Sequence, residues 1–337
     1  PTVVNLEITE ICNVKCRHCY NFWRDESMGQ NSLDIEKFDK IIDRIIEAGV
    51  FHVVLTGGEP MAKFPMLEHG FAKLKEANIS FSCNSNLMLC TDERAKKLAN
   101  LGLDHILTSL PSRDPVTNDF IMGKQGSFNR IMKGIENATK NGIRVSANMV
   151  VSKSTYNDVY ETARLAASKG CQKLFATRMV PPTYTHEKVD NEHLPTPEET
   201  KIALDQAIKA KKDFGIMVGT LVSYPLCFLG DLEKYSDFVG RGCPGQSGHQ
   251  MSINATGDTH SCAHEAEGYG NVFDRPIKEI YQQPKMKKWR TSYHFEGCKG
   301  CDYIDVCESG CRMTAKGFTW NHGGKVPLFL GPHVFEK

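Results

Sequence analysis

The sequence lacks two features that mark particular classes of protein: an excess of one charge sign and a long apolar run. Its 337 residues carry 41 Lys and Arg against 40 Asp and Glu, which gives a net charge of +1. This balance provides no bulk attraction to nucleic acid or to an anionic membrane. No apolar run approaches the roughly 18 residues of a membrane span. We therefore expect neither nucleic acid nor a membrane as a partner.

A disulfide framework is not expected either, although cysteine is abundant. The chain has 13 cysteines, and three of them lie between residues 12 and 19 while four lie between residues 298 and 311. An odd count in tight clusters argues against disulfides in a chain of this length. The pattern favours metal or iron–sulfur binding in a reducing cytoplasm.

Short apolar runs alternate with amphipathic stretches over roughly the first 220 residues. The apolar runs are rich in Val, Ile, Leu and Phe and predict strands. The predicted strands are residues 3–9, 52–56, 79–84, 105–109, 143–151 and 172–178, and the predicted helices are residues 35–48, 65–77, 92–101, 128–141, 157–169 and 198–214. Such alternation predicts a parallel sheet with crossover helices. Six units are too few for a closed eight-stranded barrel, so we predict an α/β fold, a partial (β/α)6 TIM-like barrel with its chemistry at the carboxyl ends of the strands.

The composition of the sequence changes after Cys227. Gly, Cys and His become more frequent, and long segments with helical periodicity no longer occur. We therefore predict two domains, a partial barrel over residues 1–222 and a small Cys-rich domain over residues 223–337. A domain of this composition depends on bound metal to hold its shape.

Cys12, Cys16 and Cys19 form a C-x3-C-x2-C motif directly after the first predicted strand. Three thiolates can bind three irons of a four-iron cluster and leave the fourth iron open to a small molecule. Thiolate ligands suit such clusters. The alternative is a structural zinc site, which needs four ligands and would take His18 as one of them.

This motif resembles the signature of the radical S-adenosylmethionine (SAM) superfamily, C-x3-C-x-aromatic-C, with His18 at the aromatic position and Tyr20 after it. One strand–helix unit later, Gly57-Gly58-Glu59-Pro60 resembles the GGEP motif of the family. Glycines allow the backbone to approach the amino acid part of SAM. Glu59 and nearby backbone carbonyls are then expected to receive the SAM ammonium group. An ordinary turn is the alternative for this segment.

Two further strand ends match the family in position. Asn84 ends the third strand, where relatives carry Thr-Asn-Gly, and Ser109 ends the fourth, where the family's serine contacts SAM. A later stretch resembles the D-x-x-R…G-S-F segment of peptide-modifying members, but Met122 stands at the Arg position. Lys124, or Arg178 at the end of the sixth strand, could replace the contact that this Arg makes to the SAM carboxylate.

Two cysteine patterns follow, C-x13-G-x4-C over residues 243–262 and C-x2-C-x5-C-x3-C over residues 298–311. Together they resemble the SPASM extension of radical SAM enzymes, which carries two auxiliary four-iron clusters. The resemblance implies one or two auxiliary [4Fe–4S] clusters, with Cys243, Cys262 and Cys311 for the first and Cys298, Cys301 and Cys307 for the second. A cysteine ribbon with one or two zinc ions is the alternative.

The fourth ligands of these two clusters stay open at this point. The last cysteine of the family would fall at position 329, which is Phe329 in this chain. His322 and His333 are candidates for the missing ligand of the second cluster. Cys227 and His249 are candidates for the first. An open iron that binds substrate, or the absence of one cluster, would also fit the sequence.

Two cysteines outside the motifs are candidates for catalysis, since a thiol gives a hydrogen atom to the substrate radical in peptide epimerases of this family. Cys83 lies near the end of the third strand, and Cys227 precedes the second predicted domain. Most unassigned cysteines are small core residues. That is our interpretation of Cys171.

The resemblance implies an enzyme that reductively cleaves SAM to a 5′-deoxyadenosyl radical, with electrons from a donor such as flavodoxin or ferredoxin. The radical abstracts hydrogen from the substrate. SPASM proteins mostly modify peptides, so we expect a ribosomally made peptide and a thioether crosslink, a carbon–carbon crosslink or an epimerisation. The alternatives are a small-molecule enzyme, such as a haem-pathway or dehydrogenating enzyme, and a non-catalytic iron–sulfur or zinc protein.

Overall fold

The computed structural model describes residues 1–21, 30–181, 193–239, 243–291 and 295–331. The strands in this part of the chain are β1 (Val3–Glu7), β2 (His52–Thr56), β3 (Ser80–Asn84), β4 (His105–Ser109), β5 (Arg144–Val151), β6 (Lys173–Arg178), β7 (Met217–Gly219), β8 (Gln250–Ile253) and β9 (Thr259–His260). They form one sheet in the order β7-β6-β5-β4-β3-β2-β1-β8-β9. All neighbouring pairs are parallel except β8 with β9.

Helices follow the strands and cover the sheet. The helices of the described residues are α1 (Ile35–Ala48), α2 (Phe64–Glu76), α3 (Asp92–Leu101), α4 (Pro115–Met122), α5 (Ser127–Lys140), α6 (Val159–Ser168), α7 (Pro197–Phe214), α8 (Leu226–Leu229), α9 (Ile277–Gln282), α10 (Pro284–Thr291), α11 (Ile304–Cys307) and α12 (Arg312–Thr319). None of them is long and apolar enough to cross a membrane.

The helix α1 shows why the local pattern was sufficient to predict these elements. Phe38, Ile41, Ile42 and Ile45 recur at helical spacing and are fully buried. The helix begins after Asp34, whose carboxylate accepts a hydrogen bond from the backbone at position 37, and it ends at Gly49 in the left-handed conformation. An N-cap carboxylate and a C-terminal glycine satisfy backbone groups that the helix itself leaves unpaired.

The sheet is a partial barrel, as predicted, because β1 to β6 are the six predicted strands and the strand order is not closed. The structure adds strands at both ends. At one end β7 pairs with β6, and at the other end β8 pairs with β1 in parallel.

The pairing of β8 with β1 joins the C-terminal region to the sheet. Val3 lies opposite Gln250, and Leu6 lies opposite Ile253. Both Leu6 and Ile253 are fully buried. The boundary between residues 222 and 223 stays a prediction, and the hydrogen-bonded sheet continues across it.

Candidate active site

A cavity of about 550 Å³ opens at the carboxyl ends of the strands and extends into the barrel interior. Two sets of three cysteines line it. The first set is Cys12, Cys16 and Cys19, and the second set is Cys243, Cys262 and Cys311. The cysteine motif after β1 and the first auxiliary set predicted for the C-terminal region therefore face one shared space. Clustered thiols that line a cavity fit iron–sulfur clusters in their donor chemistry.

The loop of the first set packs on the carboxyl end of α4. Its backbone N–H groups at Lys15 and Arg17 donate to the carbonyl oxygens of Met122 and Ile121, over 3.2 and 2.8 Å. The Arg17 guanidinium lies over the Phe120 ring, 4.0 Å from its centroid. A helix that the sequence analysis missed therefore supports the cysteine loop.

Met122, which stands at the Arg position of the family pattern, lines the cavity and is fully buried. Its thioether sulfur lies 3.7 Å from the Cys16 sulfur. Lys124, one candidate to replace the Arg, donates instead to the carbonyl oxygen of Asn13 over 2.7 Å. This contact ties Lys124 to the backbone of the cysteine loop.

Gly57 and Gly58 allow the loop after β2 to approach the cysteine loop. A Cβ atom at Gly57 would overlap the carbonyl oxygen of Thr9, and one at Gly58 would overlap that of Ile11. The approach permits a hydrogen bond from the Gly58 N–H to Thr9 over 2.7 Å and one from the Glu59 N–H to Ile11 over 2.9 Å. Both glycines also line the cavity. They fix the two loops against each other in addition to bordering the predicted SAM site.

Glu59 is buried and organises the loops around it. Its carboxylate accepts hydrogen bonds from the Ser85 hydroxyl over 2.7 Å, the Asn86 N–H over 2.8 Å and the Met61 N–H over 2.9 Å. Burial raises the pKa of Glu59, and these hydrogen bonds oppose the rise. Pro60 begins a short 3-10 helix and does not line the cavity among the described residues. Glu59 therefore holds two loops together at the edge of the cavity.

The remaining residues predicted to contact SAM lie at the cavity, and the contacts themselves stay predictions. Asn84 and Ser109 line the cavity, as do His18 and Tyr20. Asn148 is a cavity residue that the sequence analysis missed, and it lies opposite Ser109 in the sheet. A polar residue before the apolar end of β5 was the available indication.

Arg178 does not lie in the described lining of the cavity. Its side chain is buried, donates from Nη2 to the carbonyl oxygen of Ser223 over 2.9 Å and stands 5.6 Å from the Tyr224 ring centroid. Burial lowers the pKa of Arg178, whereas the nearby Cys311 raises it. The structure thus places Arg178 near Cys311 of the second cysteine set, and its contact with SAM stays a prediction.

Tyr20 and His264 connect the two cysteine sets. Their rings are stacked, with centroids 4.0 Å apart and planes 5° apart. Burial raises the pKa of Tyr20 strongly, and the neighbouring Glu7, Cys19 and Cys262 add to the rise. Burial lowers the pKa of His264 to about 4. Both rings are therefore neutral at physiological pH.

Thiols of the second set are close enough to influence one another. Burial raises the pKa of Cys243 to about 11, and the charge of Cys311 contributes to the rise. Burial likewise raises the pKa of Cys262, with contributions from both partners. A coordinated metal would reverse this effect, because a thiol that binds a metal ion is deprotonated. His249, a candidate fourth ligand, does not line the cavity among the described residues.

Cys227 lies away from the large cavity, at a second, smaller cavity. That cavity is lined by Cys227, Cys298, Cys301 and Cys307, with Phe329 beside them. The structure therefore places Cys227 outside the described lining of the large cavity that the first auxiliary set borders. Its role as a hydrogen donor stays a prediction, and no described contact at that cavity supports it. Cys227 lies with the second auxiliary set.

Two other candidates from the sequence are placed elsewhere. Cys83 is fully buried in the core and does not line either described cavity. His322 bonds to the carboxylate of Glu265 over 2.6 Å, which removes it from the cysteines of the second auxiliary set. His333 lies outside the described residues.

Two family models match regions of the chain that contain most of these cysteines. The model of the radical SAM superfamily matches residues 6–166, and that of an iron–sulfur cluster-binding domain, SPASM, matches residues 243–302. The two matched regions contain the first cysteine set, the GGEP segment and four of the six auxiliary cysteines, Cys243, Cys262, Cys298 and Cys301.

Three curated relatives cover nearly the whole chain. An AdoMet-dependent heme synthase of Methanosarcina barkeri is 25% identical over 98% of this chain and 96% of the relative. Mycofactocin maturase MftC of Mycolicibacterium smegmatis is 27% identical over 95% of this chain and 80% of the relative. A PqqA peptide cyclase of Methylocella silvestris is 23% identical over 97% of this chain and 87% of the relative.

The fold is shared with solved structures. SuiB of Streptococcus suis bound to its precursor peptide SuiA superposes with a TM-score of 0.77 at 18% identity. The match covers 100% of this chain and 76% of SuiB.

Proposed function

Because the chain is a radical SAM enzyme with a C-terminal SPASM domain, we propose that it modifies a ribosomally made peptide. The reaction begins with abstraction of hydrogen from a side chain or α-carbon of that peptide. It ends in a thioether crosslink, a carbon–carbon crosslink or an inverted stereocentre.

Different residues of the cavity have different roles in this reaction. Cys12, Cys16 and Cys19 would hold the SAM-binding [4Fe–4S] cluster, and the loop of Gly57 and Gly58 would border the SAM amino acid part. With both cofactors bound and an electron supplied, the site provides a 5′-deoxyadenosyl radical. The cofactors supply this radical chemistry. The chain positions the substrate against that radical and shields it from water.

The similarity to peptide-modifying relatives carries the proposal of a peptide. Mycofactocin maturase MftC is 27% identical over 95% of this chain, and a PqqA peptide cyclase is 23% identical over 97% of it. The cavity of about 550 Å³ has the size of a small-ligand site. Only the reacting side chains of a peptide would therefore enter it.

A second candidate is a small-molecule reaction of the haem pathway. The specific observation in its favour is the similarity to an AdoMet-dependent heme synthase, which spans 98% of this chain. Such an enzyme would use the same cysteine sets. The two candidates differ only in what enters the cavity.

We further propose that a reduced flavodoxin or ferredoxin of the cytoplasm donates the electrons. The 13 cysteines, all of them among the described residues, form no disulfide, and a reducing compartment keeps thiols in that state. The first set and the set of Cys243, Cys262 and Cys311 line one cavity, and the stacked rings of Tyr20 and His264 join their loops. This contact offers one route for an electron.

The experiment combines anaerobically reconstituted protein, SAM and a strong reductant with two substrates in parallel. One is a short peptide encoded beside the gene, and the other is a haem precursor that carries propionate groups. Formation of 5′-deoxyadenosine is measured together with the mass of each substrate. Peptide deuterated at the reacting residue should pass deuterium to 5′-deoxyadenosine.

Conversion of the peptide but not of the porphyrin is the expected result. A peptide that has lost hydrogen atoms by mass indicates a crosslink. A peptide whose mass is unchanged in H2O, but which takes up deuterium when the reaction is run in D2O, indicates epimerisation. The matched control is the Cys12→Ala/Cys16→Ala/Cys19→Ala variant, which should form no 5′-deoxyadenosine. Conversion of the porphyrin alone would replace the proposal by the second candidate.

A further inference from the structure

Cys227 is a buried thiol for which the proposed reaction has no use. It lies on the short helix α8, and its side chain is 7% exposed. The small cavity beside it is lined by four cysteines, Cys227, Cys298, Cys301 and Cys307. Three of them belong to the C-x2-C-x5-C-x3-C motif, and the fold brings Cys227 from a distant segment of the chain to lie beside them.

Contacts between the segments hold this arrangement. The backbone N–H of Leu226 donates to the Cys307 sulfur over 3.3 Å. Gly310 has a positive φ of 78°, and a Cβ atom there would press on the Pro225 ring. The turn that follows Cys307 is therefore docked on the residues that precede Cys227. N–H groups directed at a cysteine sulfur are the kind of contact that tunes iron–sulfur clusters.

The cysteine that the family pattern would supply as the fourth ligand of the second auxiliary set is absent from this chain. Phe329 occupies the position where the family pattern carries its last cysteine, and it lines the same small cavity. The Phe329 ring packs edge-on against Phe295, with centroids 4.5 Å apart. An aromatic side chain thus borders the site where a fourth thiolate would otherwise enter.

We propose that Cys227 is the fourth thiolate ligand of the second auxiliary iron–sulfur cluster, with Cys298, Cys301 and Cys307, and replaces the cysteine missing at position 329. Four cysteines complete the ligand set of a [4Fe–4S] cluster. A cluster closed in this way has no iron open to substrate, so it serves electron transfer or structure. This inference goes beyond the proposed function and holds for either substrate class.

The test measures iron, sulfide and the Mössbauer spectrum of the full chain in the Cys12→Ala/Cys16→Ala/Cys19→Ala background. In that background the auxiliary clusters account for the iron. Cys227→Ala should lose the second cluster, or retain it as a three-iron cluster with its own EPR signal. Cys171→Ala is the matched control, because Cys171 is equally buried but lies at neither cavity, and it should leave the iron content unchanged.

A rescue variant separates ligation from packing. Cys227→Ala/Phe329→Cys returns a thiol to the small cavity and should restore the iron content and the four-iron spectrum. Unchanged iron and spectrum in Cys227→Ala would overturn the proposal, as would zinc in place of iron at these four thiols. Loss of iron that Phe329→Cys fails to restore, together with loss of the far-UV circular dichroism spectrum, would assign Cys227 to packing alone and also overturn it.

Discussion

The rings of Tyr20 and His264 lie face to face, 4.0 Å apart, and join the loop of the first cysteine set to that of Cys262. The two residues are far apart in the sequence, so their contact forms only when the two loops are in place. Both line the cavity. Their stacking makes the cluster loops one structural unit.

We predict that this contact couples the stability of the two loops. A double-mutant cycle with Tyr20→Ala and His264→Ala should give a coupling free energy of about 0.5–1.5 kcal/mol, the range of aromatic pairs beyond their buried area. The measurement is anaerobic urea unfolding of the reconstituted protein. Tyr20→Phe keeps the stacked ring and serves as the control. Additive effects of the two alanine substitutions would contradict the prediction.

Gly58→Ala should separate the loop after β2 from the cysteine loop, because the added methyl group overlaps the carbonyl oxygen of Ile11. Overpacking of this kind costs about 1–3 kcal/mol. We expect 5′-deoxyadenosine formation to fall by about tenfold or more. Gly268→Ala is the control, since Gly268 has no neighbour within 4 Å of an added Cβ. Equal activity of the two variants would show that the close approach is not needed.

Thr108→Val should weaken activity without weakening the fold. The Thr108 hydroxyl is buried at the cavity and has no hydrogen-bond partner among the described residues. Loss of a hydrogen bond to a bound ligand, worth about 0.5–1.5 kcal/mol, should lower kcat/KM for 5′-deoxyadenosine formation by up to about tenfold, with an unchanged free energy of unfolding.

Thr177→Val provides the contrast to this variant. The Thr177 hydroxyl donates to Asn148 over 2.7 Å and accepts from the Leu221 N–H over 3.2 Å. Its removal leaves buried partners unpaired and should cost about 1–3 kcal/mol of unfolding free energy. A Thr108→Val protein as destabilised as Thr177→Val would refute the distinction.

Glu265→Gln should strongly destabilise the C-terminal region. The Glu265 carboxylate is fully buried and accepts from Lys316 and from His322. Burial alone would raise its pKa, but these partners lower the pKa to about 2 from 4.5. Breaking a buried ion pair costs about 3–5 kcal/mol. Glu267→Gln removes an exposed pair with Lys285 and should cost about 1 kcal/mol or less.

The pH dependence of Glu265 follows from the sign of its shift. Because the folded pKa lies below the unfolded value, its contribution to stability is complete above about pH 4.5 and is lost as the pH falls toward 2. Unfolding of wild type and of Glu265→Gln at neutral and acid pH measures this difference. A constant gap between the two proteins across that interval would argue against the ion pair.

Local sequence patterns were sufficient to predict most strands and helices of the barrel. Helix α1 and strands β2 and β4 have the predicted bounds, because strong amphipathic or apolar periodicity and clear capping residues mark their ends. The resemblance to the SPASM pattern also implied the first auxiliary set, whose three cysteines line one cavity with Cys12, Cys16 and Cys19.

What could not be predicted depends on contacts between distant residues. Helix α4 has eight residues, too few for a clear period, yet it supports the cysteine loop. The placement of Cys227 beside Cys298 requires two segments far apart in sequence to meet. Glu59 and Arg178 were assigned to SAM because of their positions, and the hydrogen bonds that they also make to protein groups could be seen only in the folded structure.

The pairing of β1 with β8 also bears on the order of assembly during synthesis. Val3 lies opposite Gln250, so β1 is made long before its second neighbour in the sheet exists. Pairings this distant in sequence form late, and an unpaired strand edge is prone to aggregation. The cysteine loop after β1 lies on that unfinished edge until β8 arrives. Iron delivered to a nascent chain would meet an incomplete barrel, and delivery after release would meet a finished one.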